Sequence, residues 1–79
     1  MADINQYPGP PFKPGDIVIT DFTGCQGHDF EVVRVHSTNG SFSRFMVVAC
    51  LKGNKNREIT GRIIDGINYG IDSSWFKLK

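Results

Sequence analysis

Apolar residues in this chain come in short, β-branched runs, and several runs are apolar on both faces of the strand they predict. The first is Ile17-Val18-Ile19-Thr20-Asp21-Phe22, with Ile17 and Ile19 on one face and Val18, Thr20 and Phe22 on the other. The second, from Phe30 to His36, reads Phe-Glu-Val-Val-Arg-Val-His. The third runs from Phe42 to Leu51, where Phe45, Val47 and Ala49 oppose Met46, Val48 and Cys50. A fourth is expected from Glu58 to Ile64, Ile67 to Ile71 reads as a short strand or the lip of one, and Trp75 to Lys79 closes the chain as a last strand. Nowhere does the apolar pattern follow the helical period of 3.6 over a useful window. The one helical signal is Asp72-Ser73-Ser74, where an aspartate side chain can cap a single turn.

The punctuation between runs has identifiable chemistry. In Pro14-Gly15-Asp16 proline fixes φ and glycine accepts φ > 0, as a type II turn requires. Residues 23–29 hold two glycines and read as loop. Asn39-Gly40 and Asp65-Gly66 are hairpin signals, and residues 52–57 form the remaining turn. Residues 1–11 carry Pro8, Gly9, Pro10 and Pro11 and read as an extended arm, which Tyr7 or Phe12 at its flanks can pin to the body.

Short strands with turns at this spacing predict an all-β barrel or sandwich over residues 12–79. Lys13-Pro-Gly-Asp-Ile-Val18, Phe30-Glu-Val-Val-Arg-Val35 and Ser74-Trp-Phe-Lys-Leu78 together resemble small SH3-like barrels, most of all the stand-alone ones common in bacteriophage and bacterial genomes. The resemblance implies a five-stranded SH3-like barrel with a short helical turn before the last strand. It implies no activity, because many unrelated functions use this barrel.

Seventy-nine residues make one domain with a small core, of the size that often recruits a partner subunit. Nine basic against eight acidic residues leave a net charge of +1, without the basic excess typical of nucleic-acid modules. The N-terminus has no signal-peptide pattern, no apolar run is long enough to span a bilayer, and two cysteines make no disulfide framework. A soluble cytoplasmic protein is expected, with no membrane association.

Cys25, His28, His36 and Cys50 are the available soft ligands, but only Cys25-x-x-His28 is compact, so no metal or cofactor is expected. No acid, base and nucleophile converge on one predicted loop, so no catalytic residues and no enzyme are expected. Lys52, Lys55, Arg57 and Arg62, with Tyr69, Phe42 or Trp75 for stacking, make the best nucleic-acid candidate. The surplus of apolar surface is more distinctive. Ile17, Ile19, Phe22, Met46, Val48 and Trp75 are the candidate protein-binding surface, unless the arm covers the second face. The leading expectation is a non-enzymatic, phage-type binding protein that engages or inhibits a host protein through an apolar sheet face or edge strand, possible also as a homo-oligomer. The alternatives are nucleic-acid binding by the 52–57 loop and sequestration of a small anionic ligand at an oligomer interface.

Overall fold

The computed structural model describes residues 10–39 and 42–79. Among these residues there are seven strands: β1 (Ile17–Thr20), β2 (Phe30–Ser37), β3 (Phe45–Leu51), β4 (Asn54–Glu58), β5 (Arg62–Ile64), β6 (Ile67–Asp72) and β7 (Phe76–Leu78). A 3₁₀ turn, Ser73–Trp75, precedes β7. All pairings are antiparallel, in the order β5-β6-β3-β2-β1-β7, with β4 also against β3. No helix among the described residues is long and apolar enough to cross a membrane.

The expected all-β class holds, but there are seven strands among the described residues where five were expected, and they do not close into a barrel. Seven strands make one sheet with β5 and β7 at its ends and no pairing between them. The expected strand from Glu58 to Ile64 is broken in the middle. Ile59 dips into the core, its amide donating to the Ala49 carbonyl, and Gly61 lies so tight against the Gly70 carbonyl that no side chain would fit. The Asn68 side chain ties this break to β6: its Oδ1 accepts from the amides of Gly61 and Gly70, and its Nδ2 donates to the Ile59 carbonyl. β3 starts at Phe45 and not at Phe42, which is 91% exposed. The Asn39-Gly40 hairpin signal and most of the N-terminal arm fall outside the described residues.

The Lys13–Asp16 turn forms as its residues dictate. Asp16 donates its amide to the Lys13 carbonyl, and Gly15 takes φ +96°. Gly15 and Asp16 then exchange backbone hydrogen bonds with Val32, which docks the corner on β2.

The core lies on one face of the sheet: Phe12, Val18, Phe30, Val32, Val47, Ala49, Ile59, Ile71 and Phe76. A one-residue irregularity in β2 explains its mixed pattern. Val32 pairs with Ala49 but Arg34 pairs with Val48, so Val33 is an extra residue. Phe30 and Val32 therefore point inward before it and Val35 after it, while Arg34 and His36 turn to the outer face.

That outer face is where Met46, Val48 and Cys50 lie, and all three are buried there. Two bridges roof them. Arg34 on β2 reaches Glu58 on β4 at 3.6 Å and the Asn68 carbonyl on β6 at 3.5 Å. His36 on β2 stacks on Tyr69 of β6, ring centroids 4.3 Å apart. Since β2 pairs one edge of β3 while β4 and β6 pair the other, both bridges must cross over β3. A second extra residue, Tyr69 in β6 between the pairs Arg62–Gly70 and Ile63–Asn68, coincides with this stack.

Candidate functional site

On β1 the inward residues are Val18 and Thr20, both buried, which leaves Ile17 and Ile19 half-buried on the outer face. Their cross-strand neighbours are Glu31 on β2 and Lys77 on β7. Past Thr20 the chain leaves the sheet, and its Oγ1 accepts the Phe22 amide. The Phe22 carbonyl then accepts the Cys25 amide, and Phe22 packs against the core. From there its ring meets Trp75 edge-on, at 5.1 Å and 90°.

Trp75 stands at the end of the 3₁₀ turn and is 47% exposed, while the next residue, Phe76, is buried. The turn is held by Asp72, whose carboxylate accepts from the backbone and hydroxyl of both Ser43 and Ser74. Burial pushes the Asp72 carboxyl up, but those hydrogen bonds outweigh it and bring its pKa down to about 2. A rigid support thus holds a large, half-exposed indole against Phe22.

Between this indole and the 21–29 loop runs a groove of about 470 Å³, lined by Ile19, Asp21, His28, Asp29, Trp75 and Lys77 among others. Asp29 is held by a 2.5 Å hydrogen bond and ion pair from the Lys79 ammonium, which lowers its pKa and fastens the chain end to the loop. The groove therefore sets the apolar side chains of Ile19, Trp75 and Phe76 among polar residues, with charges of both signs from Asp21, Asp29 and Lys77.

Of the expected protein-binding residues, Ile19, Phe22 and Trp75 come together here, and Ile17 continues the face along β1. Met46 and Val48 do not join them. They are 7% and 0% exposed beneath the bridges over β3, so no partner reaches them in this fold.

The basic candidates divide. Leu51 pairs with Asn54 across the Lys52-Gly53 turn and Cys50 pairs with Glu58, so residues 55–57 bulge out without a partner on β3. An Asn54 side chain accepting the Asn56 amide supports the bulge. Lys52, Lys55 and Arg57 are exposed there, and none forms an ion pair among the described residues. Arg62 and Tyr69 sit on β5 and β6, which join the other end of β3, and Tyr69 is engaged with His36.

Cys25 and His28 line a second cavity of about 330 Å³ with Arg57, whereas Cys50 is buried under the outer roof and His36 is in the Tyr69 stack. Among the described residues no three His, Cys, Asp or Glu side chains gather in metal-binding range. The residues that sequence reasoning missed are the groove's polar rim, Asp21, His28, Asp29 and Lys77, and an exposed apolar hairpin, Ile63, Ile64 and Ile67. The rim has no periodicity to find it by. The hairpin had a signal in its Asp65-Gly66 turn, which forces the isoleucines to a tip. No family model, curated protein or solved structure matches this chain.

Proposed function

We propose that this protein is a non-catalytic, SH3-like binding module that engages a protein partner through the surface built from β1, the 21–29 loop and the 3₁₀ turn. The observation that carries this reading is Trp75, 47% exposed at the groove rim and braced edge-on by Phe22. A tryptophan held in place from behind loses little freedom on binding and offers a large contact area, which is why such residues anchor interfaces. Ile19 and Ile17 extend the apolar contact, and Asp21, Asp29 and Lys77 supply polar contacts at the rim. The order β7-β1-β2-β3 with a 3₁₀ turn directly before the last strand supports the SH3-like reading. Phage origin and the blocking of a host protein follow from the resemblance of the three motifs to stand-alone barrels.

A second reading has its own observation. The 55–57 bulge projects Lys55 and Arg57, with Lys52 beside it, and Glu58 is already occupied by Arg34. Such a cluster fits phosphate contacts of a nucleic acid.

Affinity capture from a lysate of the source cells separates the two. The wild type is compared with Trp75→Ala, Ile19→Asp and a triple Lys52→Glu, Lys55→Glu, Arg57→Glu variant, each checked for folding by circular dichroism. A protein retained by the wild type and the triple variant, but lost with Trp75→Ala and Ile19→Asp, is the expected result. Salt-sensitive retention of nucleic acid that only the triple variant loses would transfer the function to the basic bulge.

A further inference from the structure

The second cavity, of about 330 Å³, opens where the 23–29 loop meets the turn between β3 and β4. Its wall is apolar where Phe30, Leu51 and Ile59 reach it and polar where Cys25, His28 and Arg57 do. Small-molecule sites begin at roughly this size, about 300 Å³. Strand alternation puts Arg57 there. Ile59 points into the core and Glu58 to the outer face, where its carboxylate meets Arg34, so Arg57 returns to the core side, over the cavity. Lys52 follows Leu51 and gives its amide to the Asp29 carbonyl, which fixes the turn beside His28 and Asp29. The Asp29 carboxyl registers this arrangement: the hydrogen bond from Lys79 lowers its pKa most, and the charges of Lys52 and His28 lower it further. Lys52, Arg57 and His28, from two separate segments, thus gather beside one cavity. The carboxylates that adjoin them are already engaged, Glu58 by Arg34 at 3.6 Å and Asp29 by Lys79. Neither Lys52 nor Arg57 forms an ion pair among the described residues, so two uncompensated positive charges stand at the cavity.

We infer that this cavity binds a phosphate monoester carried on a planar body, of the size and chemistry of a nucleoside monophosphate. A phosphate monoester holds about two negative charges at neutral pH, which matches the two free cations. A carboxylate would leave one of them unanswered. Arg57 offers a planar fork of N–H donors that suits two phosphate oxygens, Lys52 a point charge, and the His28 ring a further donor. The planar body lies against Leu51 and the exposed ring of His28, which meets Phe30 edge-to-face at 6.4 Å and 76°. Of the residues around this cavity only His28 also lines the Trp75 groove, so the site does not depend on a partner bound there. Lys52 and Arg57 belong also to the nucleic-acid reading, from which this site differs by leaving out Lys55, absent from the cavity wall. The same phosphate group occurs free or at the end of a nucleic-acid strand, and the two sources are separated by experiment.

The test is an amide NMR titration of the wild-type protein with adenosine monophosphate, adenosine, inorganic phosphate and a short DNA strand ending in a phosphate monoester. The expected result is saturable shifts with adenosine monophosphate, confined to residues 24–30 and 51–59, at a dissociation constant on the order of 1 mM or tighter. Adenosine and inorganic phosphate each bind about 10-fold more weakly or worse. Whichever of the nucleotide and the strand binds more tightly identifies the source of the phosphate. Arg57→Gln weakens nucleotide binding about 10-fold and Lys52→Gln about 3-fold, while Lys55→Gln and Trp75→Ala leave it unchanged. Cys25 gives a readout that needs no variant. It is half-buried in the cavity wall, so saturating nucleotide slows its alkylation by iodoacetamide several-fold, whereas Cys50, 1% exposed, stays unreactive throughout. No shift at about 10 mM nucleotide, adenosine binding as tightly as its phosphate, or shifts outside those residues would overturn the inference. So would a loss with Lys55→Gln as large as that with Arg57→Gln, which would return these cations to a general nucleic-acid surface.

Discussion

Asp72 is the residue on which the candidate site turns, because the 3₁₀ turn that presents Trp75 hangs from its carboxylate. Its pKa is lowered from 3.8 to about 2 in the folded protein, so the folded state binds its proton less readily than the unfolded chain. The stability this contributes is complete above pH 4 and is lost as the pH falls from about 4 to about 2. Asp72→Asn should lower stability at pH 7 by about 1 kcal/mol, as loss of a cap does, and the difference from wild type should shrink over that acid window. Thermal melts between pH 7 and pH 2 measure it; a difference that stays constant with pH would contradict the assignment. The sequence made this cap legible, since an aspartate ahead of two serines is a cap signal. It did not show that Ser43, 29 residues earlier, would share the carboxylate.

The strands show which part of the pattern could be read and which could not. Ile17 and Ile19 were readable as one face because β1 is regular there, and the structure leaves that face half open. β3 misleads because both its faces are apolar, which suggested surface to spare. The fold instead spends Arg34, His36, Glu58 and Tyr69 on covering the outer side of β3, and single-residue irregularities at Val33 and Tyr69 accompany the turning of those side chains toward it. An irregularity of one residue leaves no periodic trace, which is why Met46 and Val48 read as candidates for contact. The same limit hid the break at Ile59-Thr60-Gly61, where a glycine is needed for close approach to Gly70 and nothing local announces it. The roof has a measurable cost of removal. Tyr69→Ala should destabilise the protein by about 2 kcal/mol, less than a fully buried aromatic, because the ring is half-buried. Denaturant titration tests this, and an unchanged midpoint would mean that His36 and Arg34 suffice to cover Met46 and Val48.

Taken whole, the molecule separates its surfaces along the strand order. The braced tryptophan and groove lie at the β1–β7 end, the basic bulge projects from β4, and the exposed isoleucines of the β5–β6 hairpin lie at the opposite end of the strand order. The first two include residues that were readable as candidates in the sequence, but only the pairing order shows that they are apart. The central claim is that the Trp75 face carries the partner. Trp75 is the only tryptophan of the chain, so its fluorescence reports on that face alone in the free protein. The direct measurement is selective labelling of this residue with 5-fluorotryptophan and its ¹⁹F NMR signal, read with and without the captured protein. The account predicts a shifted signal with lower solvent accessibility in the complex, and neither change when Ile19→Asp replaces the wild type. A complex that forms while the Trp75 signal stays where it was, still open to solvent, would contradict it.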